Sequence, residues 1–157
     1  MFRTESHPEE DVMTKNILAA LAALAIATPV FAQDAAGDAA AGEKEFRKCK
    51  ACHMIQDADG TDIVKGGKTG PNLHNIIGSK IAAAEGFKFS DGLASVATAN
   101  PDMVWTEAMV AEYVTDPQKW IDANGGSGRT KMTFKLNKNQ PDIAAYLKSV
   151  SPDAPAE

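Results

Sequence analysis

The chain has 157 residues, 44% of them hydrophobic and 24% charged, with a formal net charge of −5. That length supports a single hydrophobic core but hardly two. The acidic excess argues against a nucleic-acid binder, which needs a basic surplus to neutralise phosphates, so the expected partners are proteins.

Residues 1–12 include Glu5, Glu9, Glu10 and Asp11 and lack the basic start of an export signal, which makes Met13 a candidate translation start. From Lys15 onward the pattern changes. An apolar run over 16–27 is followed by Pro29 and by small residues at Val30 and Ala32, the layout of a secretory signal with a cleavage point. The run is too short for a membrane span, which takes about 20 apolar residues. Residues 1–32 are therefore read as an N-terminal extension with a cleavable signal, and 33–157 as one domain, placed in the periplasm. Cleavage after Ala32 removes four acids and the bases Arg3 and Lys15, leaving 17 acids against 14 bases, or −3. The Ala/Asp-rich start (33–41) and the Pro/Ala tail (151–157) read as frayed ends.

Residues near 40–50 have helical spacing, with Phe46 and Cys49 on one side. The run Cys49-Lys50-Ala51-Cys52-His53 follows. Two thiols two residues apart can each form a thioether to a haem vinyl group while the adjacent histidine is delivered to the iron. A thioredoxin-like dithiol normally follows a strand, and no strand-rich run precedes this one. A structural zinc needs a second close ligand pair, and the other histidines are only His7 and His74. The reading is one covalently bound haem c per chain, and an all-α shell around it.

Further along, Thr69-Gly70-Pro71 predicts a turn. A helix is expected over 106–115, with Met109, Val110, Tyr113 and Val114 at helical spacing. Asp116-Pro117 then supplies an N-cap and a proline at the first helical position, starting a short helix through Trp120 and Ile121. The last helix begins near 139–141 and carries Ile143, Tyr146, Leu147 and Val150 on one stripe.

For the sixth iron position the candidates are Met54, Met103, Met109, Met132 and His74. Met132 stands apart because it lies in a polar segment after Gly125-Gly126-Ser127-Gly128, where helical packing does not account for a methionine. Met54 is too near His53 to reach the opposite face, and Met103 and Met109 flank or occupy an apolar helical pattern.

In order along the chain, Gly42, Phe46, Cys49-x-x-Cys52-His53, Thr69-Gly70-Pro71-Asn72-Leu73, Trp105, Tyr113, Asp116-Pro117, Thr130-Lys131-Met132 and Tyr146 resemble the class I cytochromes c. The likeness is greatest to the bacterial long-loop type, cytochrome c2 and cytochrome c-550, because 53–71 and 117–132 are longer than in short mitochondrial forms. It covers nearly all of 33–157. The resemblance implies the class I cytochrome c fold, with the first and last helices crossing so that Gly42 and Phe46 meet Ile143 and Tyr146. It implies axial ligation by His53 and Met132, and a Pro71 carbonyl on the second nitrogen of the histidine. Trp105 and Thr130 are implied at a haem propionate, and Tyr113 against the axial methionine. Family members commonly carry an arginine where this chain has Ser79, and losing that charge is expected to lower the reduction potential.

Histidine–methionine ligation leaves the iron no open site, so the expected function is one-electron transfer without a catalytic acid, base or nucleophile. The implied partners are a cytochrome bc1-type donor and a terminal oxidase or reductase acceptor of a respiratory chain. Docking is expected through Lys48, Lys50, Lys65, Lys68, Lys80, Lys88, Lys131, Lys135 and Lys138 around the haem edge, with the carrier a monomer. A five-coordinate ligand-binding haem protein and a haem peroxidase are the competing classes. The single early motif and the late methionine loop argue against both.

Overall fold

The structure, a computed structural model, describes residues 37–154. The proposed extension and signal over 1–32 lie outside the described residues. Five helices carry the fold: α1 (Ala39–Glu45), α2 (Asp91–Ala99), α3 (Glu107–Thr115), α4 (Pro117–Ala123) and α5 (Gln140–Ser149). A 3₁₀ turn, Phe46–Lys48, continues α1 toward the cysteines, and two short antiparallel strands, β1 (Ile55–Gln56) and β2 (Asp62–Val64), make a hairpin. Among the described residues no helix is long and apolar enough to cross a membrane.

The helix starts follow from capping side chains, which satisfy backbone N–H groups that have no intrahelical partner. Asp38 accepts from the N–H groups of Ala40 and Ala41, Ser90 from Leu93, Thr106 from Met109 and Asp116 from Lys119. Pro117 occupies the first turn of α4, where a missing N–H costs nothing.

Helices α1 and α5 pack against each other, and α3 packs on α5. The first crossing needs backbone contact: a Cβ on Gly42 would lie 1.9 Å from the Asp142 carbonyl oxygen and 2.8 Å from Tyr146 Cβ. Phe46 and Tyr146 meet beside it with ring centroids 5.6 Å apart. Ile55, Val96, Ile121 and Ile143 are fully buried in the same core. A ladder between 78–81 and 103–105 fixes Trp105, whose N–H donates to the Ser79 carbonyl at 2.9 Å and whose carbonyl accepts from the Gly78 N–H at 2.8 Å.

Three features depart from expectation. Helix α2 and the hairpin were not anticipated: α2 is built largely of small residues, and strands of two and three residues are too short to alternate. The chain ends are not frayed where they are described. Ala39–Ala41 open α1, Ser151 is 3% exposed, and Asp153 accepts a hydrogen bond from Asn75 Nδ2 at 2.8 Å. Both ends are held because backbone and side-chain polar groups find partners across the fold rather than in water.

Candidate haem site

Cys49 closes the 3₁₀ turn, and its carbonyl accepts from the N–H groups of Cys52 (3.0 Å) and His53 (2.9 Å). This tight turn presents both thiols and the imidazole within five residues. Cys49 is partly buried and Cys52 exposed, and the two are not joined in a disulfide. Burial, with help from the Glu45 carboxylate, pushes the Cys49 thiol up to about 11. A thiol so little ionised near neutrality is a poor dithiol nucleophile, which disfavours the thioredoxin-like reading. Among the described residues no cluster of three or more His, Cys, Asp or Glu side chains is placed to hold a metal ion.

His53 Nδ1 lies 2.9 Å from the Pro71 carbonyl oxygen. That bond makes Nδ1 the protonated nitrogen and leaves Nε2 with its lone pair, the arrangement that orients a metal-binding imidazole. Burial holds His53 below the usual imidazole range, only partly offset by the Pro71 carbonyl, so the ring is neutral near pH 7. The Pro71 segment is tied to the same turn: Gly70 N–H donates to the Cys52 carbonyl at 2.8 Å and Leu73 N–H to the Met54 carbonyl at 3.0 Å. Gly70 lies against the ring itself, for a Cβ there would come within 2.4 Å of His53 Cε1 and 2.6 Å of Nδ1.

The remaining site residues form a second group. Trp105 is 5% exposed and meets Tyr113 edge-on at 5.1 Å between centroids. Trp120 stacks on Trp105 at 5.0 Å and meets Tyr113 at 5.5 Å. Trp120 Nε1 is buried and finds no hydrogen-bond partner among the described residues. Burial raises the Tyr113 phenol above the usual range, with the neighbouring Thr130 side chain acting in the opposite sense. Thr130 Oγ1 in turn accepts from the Met132 N–H at 3.0 Å. Met132 is half-buried at the end of that chain of contacts.

The expected residues thus assemble as two groups, Cys49–Cys52–His53–Pro71 and Trp105–Tyr113–Thr130–Met132. Sequence reasoning missed the packing of Gly70 on the imidazole and of Trp120 on Trp105. A glycine before a proline reads simply as a turn, and an isolated tryptophan as core. Met54, at 9% exposure, is buried next to the histidine, and His74 sits in the loop after Pro71.

The chain is 61% identical over 147 residues to cytochrome c-550 of Paracoccus versutus, covering 92% of this chain and 94% of that protein. It is 47% identical to cytochrome c2 of Rhodobacter capsulatus, with coverage of 84% and 93%. Among solved structures, cytochrome c2 from Paracoccus denitrificans superposes with a TM-score of 0.74 at 61% identity, covering 75% of this chain and 99% of that one. The chain belongs to the class I cytochromes c, of the cytochrome c2 and c-550 type. No protein-family model matches it.

As a member of this family the cytochrome carries one covalently bound haem c, transfers electrons as a redox carrier between complexes, and is not an enzyme. The residues present fit the haem. Two unpaired thiols flank the attachment turn, a neutral imidazole keeps its Nε2 lone pair, and only a glycine fits beneath that ring.

Proposed function

We propose that this cytochrome is a periplasmic one-electron shuttle whose haem iron is held axially by His53 and Met132. Cys49 and Cys52 hold the macrocycle by thioethers. Pro71 fixes the imidazole, Trp105 and Thr130 bind a propionate, and Tyr113 lies against the methionine. Residues 1–32 serve as extension and signal, and 33–157 is the mature domain. The haem supplies reversible one-electron chemistry, and the chain's own residues hold it and set its potential.

The observation that carries this reading is the 2.9 Å contact between His53 Nδ1 and the Pro71 carbonyl. The Nδ1–H donates to that carbonyl, which fixes the tautomer, orients the ring and makes the other nitrogen a better donor to a metal. The Met132 assignment is supported by the Thr130 hydroxyl, which accepts from the Met132 N–H and fixes that backbone. A thioether sixth ligand is soft, raises the potential relative to harder ligands and closes the iron to substrate.

Partners are proposed as a cytochrome bc1-type donor and a terminal oxidase or reductase acceptor, docked through lysines at the haem edge by a monomeric carrier. All nine lysines assigned to this surface are exposed. Three are ion-paired, Lys48 with Glu45, Lys80 with Asp102 and Lys135 with Asp116. Lys131 donates to the carbonyls of Lys88 and Phe89.

The test is the absorption spectrum of the haem-loaded ferric protein. A weak red charge-transfer band from methionine sulfur is expected, and its loss in Met132→Ala. A band that survives this substitution, or is absent from the native protein, overturns the axial assignment.

A further inference from the structure

Met132 follows a segment that is intrinsically hard to order. Gly125 (φ +77°) and Gly128 (φ +98°) sit in left-handed backbone with Gly126 between them, and glycine loses more conformational freedom on folding than any other residue. The segment is nevertheless gripped by side chains from two helices. From α4, the Gln118 amide spans it: Nε2 donates to the Gly128 carbonyl at 3.1 Å, and Oε1 accepts from the Thr130 N–H at 3.0 Å. Nε2 also donates to Asp122 Oδ1 at 2.9 Å, one turn along α4, which sets the plane of the amide. From α2, Ser95 Oγ accepts from the Ser127 N–H at 2.7 Å, and just past its end the capping Asn100 donates from Nδ2 to the Asn124 carbonyl at 3.0 Å.

The Gln118 grip leads directly to the methionine, since Thr130, whose N–H it holds, uses its own hydroxyl to hold the Met132 N–H. Only a side chain with both a donor and an acceptor can hold a carbonyl and an N–H at once, which an amide does and a carboxylate or ammonium does not. The backbone has no room to slide toward α2 instead. A Cβ on Gly126 would meet Ile121 and Val96 methyls at 2.6 Å, and one on Gly92 would lie 3.0 Å from the Gly128 carbonyl oxygen.

We propose that Gln118 is a positioning residue for the axial sulfur: its amide, supported by Ser95, sets how often Met132 leaves the iron. This rests on Met132 being the sixth ligand. An external ligand binds only the open form, so its apparent dissociation constant is the intrinsic one divided by the open fraction. Loosening the segment therefore appears as tighter binding.

The experiment titrates the ferric holoprotein with imidazole while following the red methionine band, alongside denaturant unfolding. Loss of two neutral hydrogen bonds in Gln118→Ala is expected to tighten imidazole binding by about tenfold. Gln118→Glu, which keeps an acceptor for Thr130 but sets a carboxylate oxygen against the Gly128 carbonyl and the Asp122 carboxylate, is expected to tighten imidazole binding at least as much as Gln118→Ala. Ser95→Ala is expected to shift in the same direction by less. Thr98→Ala, on α2 with its hydroxyl bonded to the Ala94 carbonyl within the helix, is expected to leave the affinity unchanged. Affinity unchanged in Gln118→Ala, or shifts that merely track global stability across all four variants, overturns the proposal. A native band insensitive to Met132→Ala overturns the ligand assignment and this inference together, which distinguishes the two failures.

Discussion

At the scale of single residues, the site depends as much on an absent side chain as on those present. Gly70 leaves space for the His53 ring while its own N–H bonds the Cys52 carbonyl and the next residue presents its carbonyl to Nδ1. An added methyl 2.4 Å from Cε1 forces the ring or the backbone to move, and either motion stretches the Pro71 bond. Gly70→Ala is therefore expected to lower unfolding free energy by about 2–3 kcal/mol, the upper range for overpacking a tight site. Its ferric spectrum is expected to change as well. Gly60 provides the contrast, since its φ of +83° is strained for alanine but nothing lies within 4 Å. Gly60→Ala is expected to cost about 1–2 kcal/mol, the ordinary left-handed penalty, with an unaltered haem spectrum. Equal spectra for the two variants would remove the special role assigned to Gly70. Its turn was legible in the sequence as Thr69-Gly70-Pro71, but its closeness to the imidazole was not, because that contact joins residues 17 positions apart in a fold that periodicity cannot specify.

At the scale of elements, the α1–α5 crossing is a joint of backbone against backbone. The Gly42 position approaches both the Asp142 carbonyl and Tyr146 Cβ, and the Asp38 N–H bonds Asp142 Oδ1 at 2.9 Å beside it. Backbone on backbone cannot relax as a flexible side chain would, so Gly42→Ala is expected to cost about 3 kcal/mol, measured as a lowered denaturant midpoint with unchanged slope. A loss below the effect of a typical surface substitution would show that the helices can slide apart cheaply. This joint was legible through the resemblance that paired Gly42 and Phe46 with Ile143 and Tyr146. Helix α4 was legible for a local reason, Asp116 capping and Pro117 in the first turn. Helix α2 was not, because Asp91-Gly92-Leu93-Ala94-Ser95-Val96 offers few large apolar residues to set a period. Its clearest sequence mark is Ser90, whose hydroxyl caps it. The grip of Gln118, Ser95 and Asn100 on the methionine segment was illegible for the same kind of reason. Single polar residues on helices read as solvated surface until the loop they hold is seen beside them.

At the scale of the whole molecule, charge is uneven. The hairpin carries Asp57, Asp59 and Asp62, whereas Lys50, Lys65, Lys68, Lys88 and Lys138 are exposed and make no ion pair among the described residues. Residues 33–157 carry a net −3 overall, so attraction to an acidic redox partner must come from this local excess and from orientation, not from total charge. Such steering weakens with salt, because the screening length falls from about 30 Å at 0.01 M to about 8 Å at 0.15 M. The second-order rate of electron transfer with an acidic redox complex is therefore expected to fall about tenfold across that range. Reversing Lys50 and Lys68 together to glutamate should slow the reaction further at low salt and flatten its salt dependence, while leaving the haem spectrum alone, since neither side chain holds the site. Stopped-flow traces at several ionic strengths decide the matter. A rate that rises with salt would mean that the acidic hairpin, not the lysine surface, faces the partner.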